Sequence, residues 1–240
     1  MRLIFIDETS DNKFKNYFGL SVATIDHTKY AKVKAEFQKI LRKSNWNEDI
    51  EFKGSCLFSA KSGDSNVTIE ERIEIATGLI ELTASKANAR MDFHYLRAES
   101  EPKEHGRDYL RLVPALLAKA VKKAPTGAGK NIAFISFDQR SDTRVSDLSS
   151  AIVPVLQQKG YVVLEEPTMM VSNFHTVGIL YADIIGYLAA RIDNISNDSE
   201  LFEGISPEQF ETNGKIRKLR SSEALIAKVK NIQNYEISVK

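Results

Sequence analysis

The chain has 240 residues, 42% of them hydrophobic and 27% charged, with a formal net charge of +1. This is the composition of a soluble globular protein long enough to bury a sizeable core. The near-zero charge leaves any nucleic-acid role to local patches, and the single cysteine, Cys56, excludes an internal disulfide and a Cys-based zinc site.

Residues 3–7 predict a short buried strand, Leu3-Ile4-Phe5-Ile6, ending on Asp7 and Glu8, with a polar turn over Thr9 to Lys15. Tyr17 to Thr24 predicts a second strand forming a hairpin with the first. Thr28 to Lys43 carries Tyr30, Val33, Phe37, Ile40 and Leu41 on one helical stripe. Ser44 to Gly63 is irregular and holds Glu51-Phe52-Lys53-Gly54. Thr68 to Lys86 predicts a helix opened by a cap-like Thr. Ala89 to Leu96 alternates as a strand with Met91, Phe93 and Tyr95 on one face and Asp92 and His94 on the other. Arg107 to Lys123 predicts a helix and Pro125 to Lys130 a turn. Ile132 to Phe137 is a continuous apolar strand running into Asp138. Ser146 to Lys159 predicts a helix closed by Gly160, and Tyr161 to Leu164 a short strand. Thr176 to Arg191 is the most apolar helix, too short and too burdened by Asp183 to span a membrane. An acidic loop over Asp193 to Glu203 and an amphipathic helix over Ser221 to Gln233 complete the chain. Opening strands followed by strand–helix alternation predict an α/β domain with a mixed sheet covered by helices. No linker divides the chain.

Two of the most hydrophobic strands thus end on acid, at Asp7 and at Asp138. Open α/β sheets place ligands beyond the carboxyl ends of their strands, although acids also simply cap strands. Asp183 has apolar neighbours at Ile179, Leu180, Ile184, Ile185 and Tyr187. A carboxylate so placed is paired, protonated or bound to a cation. Glu51 and Lys53 read by default as a solvated pair. Carboxylates from separate segments suit Mg²⁺, which takes hard oxygen ligands, and two such ions about 4 Å apart serve phosphodiester hydrolysis. Thr126 to Lys130 fails as a phosphate-binding loop because it precedes a strand and lacks the Ser/Thr. His175 reads as a capping or packing residue, Trp46 as loop packing, and His94 as a polar neighbour of the site or an exposed partner of Asp92.

Phe5-Ile6-Asp7-Glu8-Thr9-Ser10-Asp11 resembles the F-I-D-E-S-G opening of a bacterial and phage family of uncharacterised domains with an RNase H-like fold. Glu51-Phe52-Lys53 resembles that family's E-x-K element, Asp138 its acid after a middle strand, and Leu180-Tyr181-Ala182-Asp183-Ile184-Ile185-Gly186 its late L-Q-x-A-D-x-x-A helix. The order covers residues 1 to about 192. Thr9-Ser10 replaces Ser-Gly and Tyr181 replaces Gln, without loss of a carboxylate. The resemblance implies an RNase H-like mixed sheet flanked by helices, with helical additions, and a metal-dependent nuclease activity.

Together these readings give one domain over 1–240, with a core to about 192 and a helical extension over 193–240. The expected activity is hydrolysis of phosphodiesters in nucleic acid with two Mg²⁺ or Mn²⁺ ions. Asp7 would bridge the ions. Asp138 and Asp183 complete the ligand set, Glu51 is a fourth ligand and Glu8 a second-sphere or alternate one. Lys53 would orient a phosphate or the attacking water. Lys215, Arg217, Lys218 and Arg220 form a basic run that would contact phosphates. The alternatives are a non-catalytic interaction protein on the same fold, in phage–host conflict and with a protein partner, and a phosphatase or nucleotide hydrolase. A cytoplasmic location without membrane contact is expected.

Overall fold

The computed structural model describes residues 1–10, 17–43, 46–48, 51, 53–54, 67, 71, 74–75, 78–79, 91–99, 104–126, 131–197 and 233–236. In chain order these form β1 (Arg2–Ser10), β2 (Tyr17–Asp26), α1 (His27–Arg42), β3 (Asp92–Glu99), α2 (His105–Ala120), β4 (Ile132–Asp138), α3 (Val145–Gln158), β5 (Val162–Val163), β6 (Thr168–Met170), α4 (Val177–Asn197) and β7 (Gln233–Glu236). Residues 71, 74–75 and 78–79 are helical, within the predicted Thr68–Lys86 helix.

The sheet runs β5-β4-β1-β2-β3-β7, and β6 also pairs with β4. β1, β2 and β3 form an antiparallel meander. β4 then joins β1 in parallel on its other side, and β5 and β6 follow in parallel along the outer edge of β4. Helices cover both faces. This is a mixed α/β sheet flanked by helices, as the strand–helix alternation predicts.

Strand alternation sorts the core into two clusters. Leu3 and Phe5 of β1 face Val33, Phe37 and Leu41 of α1 and the apolar side of α4. Ile4 and Ile6 face Leu112, Val113, Leu116 and Leu117 of α2 and Leu148, Ile152 and Leu156 of α3. Because both faces of β1 are buried, its apolar run is continuous and shows no alternation of polarity. The polar face expected on β3 is covered too: His94 is buried and Leu96 packs into the second cluster.

Several boundaries differ from the sequence expectation. β1 does not stop at Asp7 but continues to Ser10, because β2 still supplies a partner there, with Glu8 opposite Leu20 and Ser10 opposite Phe18. α1 begins one residue early, with Asp26 accepting from the Thr28 N–H at 2.9 Å. α4 runs through Asn197, so the first five residues of the expected acidic loop are helical. Gln233, expected to end a helix, opens β7, which pairs in parallel with β3. Gly160 does close α3, at φ 83°. Its N–H reaches the Gln157 carbonyl at 2.9 Å, and the Tyr161 N–H reaches Leu156 at 3.0 Å, a pairing that needs the left-handed residue.

α4 lies unusually close to the sheet. A Cβ on Gly178 would fall 2.3 to 2.4 Å from ring carbons of Phe5. That ring is stacked on Tyr30 at 5.4 Å, and the Tyr30 hydroxyl accepts the Gly178 N–H at 3.2 Å. With no room to yield, Gly178→Ala should cost about 2 kcal/mol and lower Tm by roughly 4–8 °C. An unchanged melt would show that α4 sits farther off than this.

Candidate active site

β1 and β4 are registered in parallel from Arg2↔Ala133 to Ile6↔Phe137. Asp7 and Asp138 follow directly at the carboxyl ends of that pairing. Phe5 and Ser136 are opposite one another, so two residues on, Asp7 and Asp138 emerge on the same face. α4 crosses that face and carries Asp183. Ser21 of β2, opposite Asp7, brings the helix down. Its Oγ lies 3.2 Å from the Asp7 carbonyl and 3.0 Å from the Ala182 carbonyl, its one proton shared between them. One turn on, a Cβ at Gly186 would stand 2.8 Å from Ser21 Oγ. A small residue there allows the approach that sets Asp183 beside Asp7.

The expected E-x-K element closes the same site. Gly54, directly after Lys53, donates its N–H to Asp183 Oδ2 at 2.8 Å. A Cβ on Gly54 would fall 2.7 Å from Tyr187 Cβ on α4. Lys53 and Glu51 form an ion pair at 3.1 Å, each about half exposed.

The electrostatics match this placement. Asp7 is 3% exposed. Burial, then the charges of Asp183, Glu8 and Asp138, push its carboxyl well above the usual range, with a small offset from the Glu8 N–H. Asp183 is raised to about 7, first by burial, and its neighbours Asp138 and Glu51 add to the rise while the Gly54 N–H and Lys53 oppose it. Asp138 is raised by burial, against the N–H groups of Gln139 and Ser172 and the charge of Lys53. Burial works against the charge of Lys53, but Glu51, Asp138 and Asp183 hold its pKa above the ordinary value. Asp7, Asp138, Asp183, Glu51 and Lys53 thus act on one another as a single cluster drawn from four parts of the chain.

Glu8 stands apart from the three aspartates, although its charge still acts on Asp7. Alternation turns it to the opposite face, where Arg140 Nη1 stands 2.6 Å from its Oε1. The sequence reading missed Arg140 as a site residue, together with Ser21 and Tyr109. A serine inside an apolar strand and a glycine after E-x-K were the available signals. Arg140 gives none, since its partner is remote in sequence. His94 is buried on the face away from Asp7, and burial lowers its pKa. His175 is exposed and stands edge-on to Phe174 at 5.3 Å. Trp46 packs in the core. Lys122 lies 3.8 Å from Asp92, which pairs with Arg2 at the far end of the sheet. Cys56 and the run Lys215, Arg217, Lys218 and Arg220 lie outside the described residues.

All the donors in the cluster are hard oxygens, which fit Mg²⁺ or Mn²⁺ and no soft metal. Among the described residues, no three His, Cys, Asp or Glu side chains stand close enough to enclose an ion together. The three aspartates are drawn toward one sheet face from β1, β4 and α4 without forming a closed ligand set among the described residues.

No family model and no curated protein matches the chain. Among solved structures, it is similar to ribonuclease H2 from Pyrococcus horikoshii OT3, at 13% identity over 96% of this chain and 100% of that one, with a TM-score of 0.43. It is also similar to RNase HII of Archaeoglobus fulgidus in its complex with PCNA, at 12% identity over 92% and 90% of the two chains, with a TM-score of 0.44. No described helix is long and apolar enough to cross a membrane.

Proposed function

We propose that the chain is a metal-dependent nuclease that hydrolyses phosphodiester bonds in nucleic acid. The observation that carries this reading is the gathering of Asp7, Asp138 and Asp183 on one sheet face at strand ends, each held above its usual pKa by burial and each also by a neighbouring carboxylate. Such a cluster is costly to a folded protein unless a cation or a proton compensates it.

Asp7, Asp138 and Asp183 would hold the ions, with Glu51 joining from the exposed side. Two bound Mg²⁺ or Mn²⁺ ions supply an activated water and charge stabilisation for the leaving oxygen. Asp7 is the most buried of the three, and the charges of both Asp183 and Asp138 act on it, so it would be the residue shared by both ions. The Gly54 N–H fixes the Asp183 carboxylate, and the Gln139 and Ser172 N–H groups fix Asp138. Lys53, half exposed at the rim, presents its ammonium to a phosphate. Glu8 is not in the ligand set of this proposal. A cytoplasmic setting and a phosphate-binding role for the Lys215–Arg220 run belong to the same reading.

The test is cleavage of end-labelled single-stranded DNA, RNA, duplex and hybrid oligonucleotides with Mg²⁺, with Mn²⁺ and with EDTA. The parent should cleave at least one substrate with metal and none with EDTA. Lys53→Ala should keep the fold and lower the rate about a hundredfold. Absence of metal-dependent cleavage across all four substrates would reject the proposal in favour of an interaction module on the same fold.

A further inference from the structure

The β1–β4 pairing ends at Ile6↔Phe137. Asp7 and Asp138 therefore stand one residue past the last β1–β4 pair, where two ionised carboxylates would repel one another. On the other face of the sheet, Arg140 lies two residues beyond Asp138 and Glu8 one residue beyond Asp7. Their contact, 2.6 Å from Nη1 to Oε1, bridges the gap between the two strand ends. We propose that Arg140 is a positioning residue for the aspartate cluster, fixing the spacing of Asp7 and Asp138 by pinning Glu8 to the segment that follows β4.

The clamp is built before it grips. Asp142 takes the guanidinium as a fork, with Nε to Oδ1 at 2.8 Å and Nη2 to Oδ2 at 2.6 Å. The Tyr109 ring of α2 lies 4.3 Å from the guanidinium carbon. That ring is itself wedged edge-on against Phe137 at 6.2 Å and Phe18 at 6.0 Å. Phe137 is the last residue of β4 paired with β1, and Phe18 is paired with Ser10 at the end of β1. The Arg140 side chain is only 7% exposed, while its partners Glu8 and Asp142 are 24% and 48% exposed. Lysine would supply the charge, but not the planar fork that meets Asp142 and Glu8 at once. Glu8 is gripped through one oxygen only, since its buried Oε2 and the buried Arg140 Nη1 have no aligned hydrogen bond. The Glu8 contact is an ion pair held by position. It therefore depends on Asp142 and Tyr109 keeping the guanidinium in place.

This inference rests on the reading of the aspartates as a cation site, and its test separates the two. Mn²⁺ binding to the full chain is measured by calorimetry, without substrate, and backbone amide exchange is measured in EDTA. Arg140→Gln should weaken Mn²⁺ binding about tenfold or more and speed exchange at residues 7–10 and 138–142 while leaving α1 as in the parent. Arg140→Lys should fall between the parent and Arg140→Gln on both measures, and it carries the same judgement if Arg140→Gln does not fold. Unchanged exchange at both strand ends overturns the clamp. A parent and variant with equal Mn²⁺ affinity overturn the positioning role alone. A parent that takes up no Mn²⁺ overturns the cation site, and this inference with it.

Discussion

In EDTA, the protein should lose stability as pH rises from about 4 to about 7, and Asp183→Asn should remove much of that loss. The folded-state pKa of Asp183 is about 7 against an ordinary value of 3.8. A raised acid binds its proton more tightly in the folded state than in the unfolded one. Its contribution to stability is therefore fully present below the unfolded value and is lost as pH climbs through the folded one. For Asp183 alone this amounts to roughly 4 kcal/mol. Asp7 and Asp138 are shifted the same way, but the three titrate as a coupled set, so their losses do not simply add. His94 is shifted down and works in the opposite direction below its ordinary 6.5, so the parent-minus-variant difference is the quantity to read. Asparagine keeps the shape, and its amide oxygen still accepts the Gly54 N–H. In EDTA at pH 8 the variant should melt at or above the parent. Mg²⁺ should restore the parent by roughly 1.4 kcal/mol at about ten times its Kd and do much less for the variant. If Asp183 were instead one half of a structural ion pair, the variant would lose roughly 3–5 kcal/mol without metal. A variant melting that far below the parent in EDTA would end the cation reading at this residue.

Two charges near the same strand end should have opposite effects when removed. Asp7→Asn should abolish cleavage, by a thousandfold or more, or about 4 kcal/mol of activation free energy. It should also raise the melting temperature in EDTA at pH 8, because it removes a buried carboxylate that its neighbours repel. Arg140→Gln should do the reverse for stability. Burial disfavours the Arg140 charge, but Asp142, Glu8 and Tyr109 more than offset this and hold its pKa up. Removing it leaves the partly buried Glu8 without its cation, at a cost of up to roughly 3 kcal/mol. Thermal melts of the two variants beside the parent, at pH 8 with EDTA, check both signs. An Asp7→Asn protein that is less stable than the parent and still cleaves would refute the assignment of Asp7.

Much of this arrangement was legible in the sequence, for identifiable reasons. β1, β2 and β4 are continuous apolar runs because both of their faces are covered. The α4 helix is apolar on nearly every side, so Asp183 stood out as a charge without a solvent face. What remained hidden depends on pairing between distant segments. Thr9 and Ser10 look like turn residues, yet they extend β1 because Gly19 and Phe18 lie opposite them. β6 has three residues, Thr168 to Met170, too few to show a period. The tandem Asp7-Glu8 left Glu8 open as a second-sphere or alternate ligand, since adjacent carboxylates look alike until strand alternation sends them to opposite faces. Arg140 followed Asp138 as an ordinary turn residue, and only the parallel register placed it against Glu8.

The packing of α4 on β1 also dictates an order of assembly. Phe5 and Gly178 touch, yet they lie on opposite sides of most of the chain, as do Ser21 and Ala182. Contacts of such long sequence separation form late, because closing the intervening loop must precede any gain from the contact. During synthesis the β1–β2 hairpin emerges early and local pairing can form it at once. One of its faces, with Leu3, Phe5, Ala23 and Ile25, is then covered only in part, by α1, until residues 177–187 arrive to complete the cover. Products truncated before Val177 would retain Asp7 and Asp138 but lack Asp183, and they would expose an apolar sheet face prone to association. Full-length chains should therefore be recovered soluble, and such fragments in the aggregated fraction.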